Sequence, residues 1–191
     1  MGRWEPDAQG RLAQAAMELF SERGYEQTTV ADIAARAGLT ERTFFRHFSD
    51  KREVLFPVGT WFRDLFVDAV AAAPDSATPI DAVRLGIDAA AAALEQHRGR
   101  ELAGARQRII AANPELRERE LGKMAEVAAA TAAAQRGRGV DEPAASLTAE
   151  LGVAAFRVAF ERWVAEGEHR SLSELVDESL LVIAAAVAPG G

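Results

Sequence analysis

The chain has 191 residues and a formal net charge of −7, from 22 lysines and arginines against 29 aspartates and glutamates. That length predicts a single domain, or one domain with a small satellite, and the acidic balance argues against a protein that holds nucleic acid by bulk charge. The absence of cysteine excludes disulfides, thiolate metal sites and cysteine nucleophiles.

The predicted elements are all helical. Leu12, Leu19 and Phe20 repeat at helical spacing ahead of the stop signal of Gly24, and no run of alternating β-branched residues is long enough to predict a strand. We therefore predict an all-α fold. Capping residues, glycines and prolines divide the chain into nine predicted helices: one that ends at Gly24, then 30–37, 41–48, 51–73, 80–96, 100–112, 114–135, 146–166 and 171–187.

Two short helices within residues 28–51 have the pattern of a helix-turn-helix. The predicted caps Thr29 and Thr40 begin them, and Gly38 stands in the turn where a left-handed backbone is needed. Phe44 and Phe48 are four residues apart on the second helix, so they share the face that packs inward. The opposite face of this helix is then presented outward.

The outward face of that second helix carries side chains that can bind DNA. These are Arg42, Phe45 and Arg46, flanked by Thr43 and His47. Arginine can form paired hydrogen bonds to guanine, threonine and phenylalanine can contact a thymine methyl group, and His47 and Lys51 can reach phosphates. The alternative is a solvated face on an ordinary three-helix core. The arginines alone favour that alternative, whereas an exposed Phe45 favours a binding function.

Residues 12–55 resemble the DNA-binding domain of TetR-type transcriptional regulators. The matching segments keep one register throughout: 19–25 (LFSERGY), 28–30 (TTV), 33–34 (IA), 37–38 (AG), 43–48 (TFFRHF), 50–53 (DKRE) and Leu55. The resemblance implies a helix-turn-helix DNA-binding domain over residues 1–55. It also implies a helical effector-binding and dimerisation domain over residues 56–191.

The resemblance implies a role for each matching position. The residues expected to contact phosphate are Thr29, Thr40, His47 and Lys51. The residues expected to face the major groove are Glu41, Arg42, Thr43, Phe45 and Arg46. The family often has tyrosine where Phe45 stands, so contact at this position must be apolar and cannot be a hydrogen bond from a hydroxyl group to phosphate.

The predicted helix over 146–166 has two apolar faces, and both must be buried. One face carries Val153, Phe156, Phe160 and Trp163, and the other carries Leu147, Leu151, Ala154, Val158 and Ala165. A central helix in a monomeric core is one explanation, and a second subunit against one of the faces is the other. The resemblance implies a two-fold homodimer on a near-palindromic DNA operator. The predicted interface residues are Leu147, Leu151, Val158, Leu175, Leu180 and Ile183.

The resemblance also implies a cavity for a small effector between helices of the C-terminal domain. Its predicted lining residues are Trp61, Phe62, Phe66, Arg106, Phe156 and Phe160. Ordinary core packing is the alternative for any single aromatic residue in this set. The run 108–116 is similar to a branch of the family in which some members sense fatty or other hydrophobic ligands. We therefore expect a small hydrophobic effector, and neither a cofactor nor a metal.

These features together predict a ligand-responsive regulator, a repressor that its effector releases from DNA, with the predicted helix 51–73 as the lever between the domains. The alternative is a helical protein-interaction module without sequence-specific DNA binding. Catalysis is not expected, because the three histidines stand at 47, 97 and 169 and no hydrolase or phosphate-loop motif is present. With no cysteine and no apolar run near the roughly 20 residues of a membrane span, we expect a cytoplasmic protein.

Overall fold

The computed structural model describes residues 8–56, 59–97 and 99–187, and all regular structure in these ranges is helical. The prediction of an all-α fold with nine helices is confirmed. The helices are α1 Ala8–Arg23, α2 Val30–Arg36, α3 Glu41–His47, α4 Gly59–Ala71, α5 Pro79–His97, α6 Gly99–Ala112, α7 Pro114–Gly137, α8 Ala144–Trp163 and α9 Leu172–Val187. A short 3₁₀ helix, Arg52–Leu55, lies between α3 and α4.

Both predicted threonine caps are present. The Thr29 hydroxyl accepts a hydrogen bond from the Asp32 amide at 3.1 Å, and the Asp32 carboxylate accepts one from the Thr29 amide at 2.9 Å. This reciprocal pair is a capping box, which satisfies two amides at the start of α2. Thr40 begins α3 in the same way, because its hydroxyl accepts from the Thr43 amide at 3.2 Å. Gly38 in the turn has φ +67°, the left-handed backbone that the turn requires.

The prediction of one continuous helix over residues 51–73 is wrong. Helical structure stops after the 3₁₀ helix at Phe56, whose backbone has φ −116° and ψ 36°, and α4 begins only at Gly59. The cause is Pro57, which has no amide proton to donate and disfavours helical geometry in the residue before it. The lever that the prediction assigned to this helix is therefore interrupted at Phe56.

The predicted start of α8 at Ser146 is two residues late, because α8 begins at Ala144. Pro143 precedes it and contributes no side-chain cap, but a proline is well tolerated at the start of a helix because the first amides have no intrahelical acceptor. Ser171, where the last helix is predicted to begin, caps α9. Its hydroxyl accepts from the Glu174 amide at 3.2 Å, and the Glu174 carboxylate accepts from the Ser171 amide at 2.7 Å.

The chain folds into two compact units. Unit 1 contains the residues up to Gly59 together with residues 105–118, and unit 2 contains residues 60–104 and those from Arg119 onward. The core of unit 1 joins side chains of α1, α2, α3 and the 3₁₀ helix with Ile110 and Leu116, both fully buried. The sequence did not indicate that residues 105–118 belong with the first helices. As a result α6 and α7 each begin in one unit and end in the other.

Unit 2 is built on close approaches of α8 to α9 and of both to α5. Gly152 permits the approach of α8 to α5, because a Cβ atom there would lie 2.2 Å from Cγ1 of Val83. Arg84 on α5 and Asp177 on α9 form an exposed paired salt bridge, with Nη2 to Oδ2 at 2.9 Å. Within the described ranges, no helix is long and apolar enough to cross a membrane.

Candidate nucleic-acid interface

The position of α3 is fixed by two aromatic side chains on its inner face. Phe44 is fully buried and Phe48 nearly so, with their ring centroids 5.4 Å apart. Because these residues lie one helical turn apart, the opposite face of α3 must point away from the core. The outward orientation predicted for the second helix of the motif follows directly from this packing.

The side chains on the outward face of α3 are exposed, as the helical spacing predicts. Phe45 is 55% exposed, and the other exposed side chains of α3 are Glu41, Arg42, Arg46 and His47. Thr43 is half-buried. Phe45 is thus a large aromatic side chain left in water beside two arginines, which favours a binding surface over a plain solvated face.

Arg42 and Arg46 differ from most arginines of unit 1 because neither has a hydrogen bond or an ion pair within the described ranges. Arg36, by contrast, donates to Glu22 at 2.9 and 2.8 Å and to Glu18 at 3.3 Å. The hydrogen bond from Arg36 lowers the pKa of Glu22, as expected for a charge held by a partner. The two arginines of α3 keep all their donors available for an external anion.

Arg36 and Arg11 connect α1 to α2 through hydrogen bonds. Arg36 on α2 is bonded to two carboxylates of α1, and Arg11 on α1 donates to the carbonyl of Ala37 at the end of α2. These bonds supplement the apolar contacts between α1 and α2. The first two helices thereby form a support against which α3 is held.

The predicted phosphate contacts Thr29 and Thr40 use their hydroxyl groups as caps. The Thr29 hydroxyl also donates to Asp32 at 2.6 Å, and the Thr40 and Thr43 hydroxyls are 3.1 Å apart. The hydrogen bonds from Thr29 are the main reason that the pKa of Asp32 falls to about 2. Both threonines are exposed at the beginning of a helix, but their contact with phosphate remains a prediction.

Lys51 is half-buried and already engaged within unit 1. Its Nζ donates to the carbonyl of Tyr25 at 2.9 Å and lies 3.9 Å from the centroid of the Tyr25 ring. An ammonium group has three protons, so donors remain for a phosphate. Sequence reasoning missed Tyr25 as a partner of Lys51. The signal that could have drawn attention to Tyr25 is that it is the single tyrosine of the chain.

The predicted effector residues fall into two groups. In unit 2, the Phe62 and Phe156 rings have centroids 5.2 Å apart, and the Phe156 and Phe160 rings 5.9 Å. Phe66 is fully buried in the same unit and Trp61 is partly exposed. Arg106 belongs to unit 1, where its Nε donates to the Leu55 carbonyl at 2.8 Å.

Two buried polar side chains on α7 were missed by sequence reasoning. Thr131 and Gln135 are fully buried one turn apart. The Gln135 amide donates to the Pro79 carbonyl at 2.5 Å, but Oε1 of Gln135 and Oγ1 of Thr131 have no hydrogen-bond partner within the described ranges. The sequence signal that could have pointed to them is the presence of a threonine and a glutamine in an alanine-rich helix.

The predicted dimer residues are only partly exposed on the protomer. On α8, Leu147, Leu151 and Val158 are exposed, with Leu147 at 58%. On α9, Leu175 is fully buried, so its assignment to an interface is wrong because it has no surface to offer a partner. Leu180 and Ile183 are half-buried.

The most exposed leucine of α9 is Leu181, at 70%, and Val182 is exposed beside it. The sequence did not single out these two residues. Residues 180–183 are all apolar, so helical spacing alone could not decide which of them face inward. The exposed apolar surface formed by Leu147, Leu151, Val158, Leu181 and Val182 is called the α8/α9 face below.

Two family models match the chain. The model for bacterial regulatory proteins of the tetR family matches residues 12–58, and the model for the MftR C-terminal domain matches residues 77–188. The chain therefore belongs to the TetR family of bacterial regulatory proteins, which confirms the resemblance drawn from residues 12–55.

Individual relatives agree with this assignment. The HTH-type transcriptional regulator TcmR of Streptomyces glaucescens is 36% identical over 116 residues, which are 61% of this chain and 50% of TcmR. SmeT is the repressor of a Stenotrophomonas maltophilia multidrug efflux pump, and its structure was solved with triclosan. SmeT is 21% identical to this chain, and the two structures align with a TM-score of 0.63 over 91% of this chain and 90% of SmeT. The repressor FadR of Thermus thermophilus, solved with lauroyl-CoA, is 23% identical, with a TM-score of 0.56 over 96% of this chain and all of FadR.

The similarities are partial in length for the curated relatives and low in identity for the solved structures. The chain spans about half the length of the curated relatives it matches. The solved structures have identities of 21% and 23%, and they establish a shared fold alone.

Proposed function

We propose that the protein is a transcriptional regulator that reads double-stranded DNA with the outward face of α3. The observation that carries this proposal is the pair of exposed arginines, Arg42 and Arg46, which have no partner within the described ranges, beside the exposed ring of Phe45. Arginine is the side chain best suited to the paired acceptors of guanine, and an apolar ring suits the thymine methyl group. Glu41, at the start of α3, can accept a hydrogen bond from cytosine.

The charge distribution supports specific contacts over bulk attraction. Residues 36–52 contain five basic residues and two acidic ones, in a chain with a net charge of −7. Arg36 and Arg52 are paired with carboxylates, so the available positive charge is concentrated on α3 and Lys51. We expect weak non-specific DNA binding with a small salt dependence.

The α8/α9 face supports a homodimer. Exposed leucines and valines on two helices that pack against each other suit burial by a second copy of the same chain. A two-fold dimer would place two α3 helices roughly 34–36 Å apart, one turn of DNA, on a near-palindromic operator. Such a regulator would act in the cytoplasm, and neither membrane attachment nor catalysis is part of the proposal.

A small hydrophobic effector would bind in unit 2, where the rings of Phe62, Phe156 and Phe160 lie together. Its binding would release the dimer from DNA, so the protein would act as a repressor. An effector changes operator affinity only through different affinities for the two conformations, and a coupling of about 1–3 kcal/mol changes it roughly 5- to 150-fold.

The test is a fluorescence-anisotropy titration of the protein against DNA from the region upstream of its own gene. Arg42→Ala should cost about 1–3 kcal/mol on the best site and relax the sequence preference at one base pair. Arg117→Ala is the matched control, because Arg117 is also exposed in unit 1 and its loss removes the same charge. If wild-type protein binds no DNA at low salt, or if both variants lose affinity equally at every sequence, the proposal fails and an interaction module becomes the better explanation.

A further inference from the structure

Thr131 on α7 carries a buried hydroxyl group that does not bond to its own helix. A hydroxyl group inside a helix commonly donates to the carbonyl four residues earlier, and two others in unit 2 do so. Thr148 donates to the Ala144 carbonyl at 2.8 Å, and Ser179 donates to the Leu175 carbonyl at 2.8 Å. Oγ1 of Thr131 is buried and has no hydrogen-bond partner within the described ranges. This hydroxyl group therefore contributes no hydrogen bond to the structure of α7.

Gln135, one turn further along α7, has a second buried polar atom of this kind. Its Nε2 donates to the Pro79 carbonyl at 2.5 Å, at the first residue of α5. A carbonyl oxygen can only accept a hydrogen bond, so this contact fixes the orientation of the Gln135 amide. Oε1 of Gln135 is left without a partner within the described ranges. An acceptor buried in this way is unfavourable, and a donor brought to Oε1 would recover the loss.

The buried face of α7 packs against the pair of helices α4 and α5. Gln135 is bonded to the start of α5, and Arg138 donates to the carbonyls of Ala73 and Pro74, which follow α4. α4 is also the helix that carries Phe62, one of the rings of the proposed effector site. The unpartnered atoms of α7 and these rings therefore lie in one unit and share a neighbouring helix.

The charge of the surroundings limits what can bind there. In the described part of unit 2 no aspartate, glutamate, lysine or arginine side chain is buried as a whole, and the buried polar residues are Thr131, Gln135 and Ser179. Arg138 is half-buried, and its Nη1 and Nη2 already donate to backbone carbonyls. A carboxylate taken into this interior would lose its hydration, and Oε1 of Gln135 would repel it.

An uncharged hydroxyl group fits the two side chains better. A hydroxyl group can donate to Oε1 of Gln135 and accept from the Thr131 hydroxyl at the same time. Residues four apart on a helix have Cβ atoms roughly 5–6 Å apart, so a single group can reach both side chains.

We infer that Thr131 and Gln135 form the polar anchor of the effector site, and that the effector is an uncharged hydrophobic compound that carries a hydroxyl group. This inference rests on the effector site of the proposed function, and it narrows the chemistry of the effector. The rings of Phe62, Phe156 and Phe160 suit the apolar body of such a compound. The two polar side chains of α7 would select its hydroxyl group.

The first test needs no ligand. Thr131→Val replaces a buried hydroxyl group that has no partner in the described ranges with a methyl group of similar size. It should raise the midpoint of thermal unfolding by roughly 2–6 °C. Thr148→Val is the matched control and should not raise the midpoint, because it removes a hydroxyl group that is bonded to the Ala144 carbonyl. A lower midpoint for Thr131→Val would show that this hydroxyl group supports the fold, and would overturn the anchor.

The second test is calorimetric titration of the full-length protein with three matched probes. The probes are 4-hexylphenol, its methyl ether 4-hexylanisole and the anion 4-hexylbenzoate. Wild-type protein should bind the phenol roughly 5- to 50-fold more tightly than the ether, and the benzoate no more tightly than the ether. Thr131→Val should reduce the preference for the phenol to less than about 3-fold. Thr131→Ser and Thr148→Val should retain it.

The outcomes separate this inference from the proposed function. If the three probes bind equally, or if the benzoate binds most tightly, the anchor is overturned while a hydrophobic effector site stands. If Thr131→Ser loses the preference as fully as Thr131→Val, packing and not the hydroxyl group decides, and the anchor is again overturned. If no probe binds, the inference fails, whereas DNA binding by α3 is decided by the anisotropy titration. If wild-type protein prefers the phenol through Thr131 but binds no DNA, the anchor stands and the regulator function fails.

Discussion

Unit 1 and unit 2 each present one helix that packs into a core on one face and is open on the other, and the two open faces have opposite chemistry. On α3 the open face carries Arg42, Phe45 and Arg46. The open face of α8 carries leucine and valine, continued by Leu181 and Val182 of α9. A face with available arginines suits a polyanion, whereas an apolar face suits a protein surface of its own kind.

The arginines of the two units sharpen the contrast. In unit 2, Arg84 is bonded to Asp177, and Arg162 and Arg170 both contact Glu178. These exposed pairs contribute little to stability, but they engage the donors of these three arginines. On α3 no carboxylate of the described ranges occupies Arg42 or Arg46. Arg42 and Arg46 therefore differ from these three arginines of unit 2 in having their donors available beside an exposed aromatic ring.

The largest expected effect compares the adjacent residues Phe44 and Phe45. Phe44→Ala removes a fully buried ring and should lower the free energy of unfolding by about 3–5 kcal/mol. Phe45→Ala should change it by less than about 0.5 kcal/mol but should weaken operator binding. Chemical denaturation and an anisotropy titration on both variants measure the two effects. Comparable destabilisation by the two changes would contradict the assigned orientation of α3.

The second effect concerns the α8/α9 face. Leu151→Asp and Val158→Asp place a charge in the proposed dimer interface and should weaken dimerisation by at least about 2 kcal/mol. Sedimentation velocity over a range of concentrations measures the monomer–dimer equilibrium. Leu121→Asp, at an exposed leucine of α7, is the control and should leave the dimer intact. A wild-type protein that sediments as a monomer at every concentration would exclude this interface.

The third effect contrasts two glycines in helices of unit 2. Gly152 lies on the inner face of α8 beside the exposed Leu151, and an added Cβ would clash with Val83. We expect Gly152→Ala to lower the free energy of unfolding by about 1–3 kcal/mol. Gly122→Ala on α7, where no atom lies within 4 Å of the added Cβ, should raise it by about 0.5–1 kcal/mol. Thermal unfolding should show shifts of opposite sign, and equal shifts would refute the close packing of α8 on α5.

The smallest effect concerns the capping box of α2. The pKa of Asp32 is lowered from 3.8 to about 2 by hydrogen bonds from Thr29 and Arg23. A carboxyl with a lowered pKa stabilises the folded state above its ordinary pKa, and this stabilisation is lost as the pH falls from about 4 to about 2. Thr29→Val should raise the pKa of Asp32, measured by NMR titration, and Thr40→Val should not. An unchanged pKa in Thr29→Val would show that the box is not formed in solution.

Most of the DNA-binding motif could be predicted because its signals are local. A cap and the first helical amides lie within three residues of one another, so Thr29 and Thr40 were identifiable from spacing alone. The same holds for the inward Phe44 and the outward Phe45, which follow from the helical period. The helix predicted over 51–73 failed for an equally local reason, because the effect of Pro57 on the preceding turn was overlooked.

The contacts that complete the site could not be predicted, because they join residues far apart in the sequence. Lys51 rests on Tyr25, which lies 26 residues earlier in the chain. Arg106 was assigned to an effector cavity because nothing in its local sequence indicates its bond to the Leu55 carbonyl. Such pairings depend on how the helices pack and not on helical periodicity.

The sequence by itself therefore determined the all-α fold, the two capped helices of the motif and the face of α3 that points outward, since each follows from spacings within a few turns. Only the tertiary structure decided that residues 105–118 join unit 1, that Leu175 is buried while Leu181 is exposed, and that Lys51 is held in place before any ligand is bound. A helix that is apolar on more than one face has several ways to pack, and the choice among them is made by side chains that distant segments bring against it.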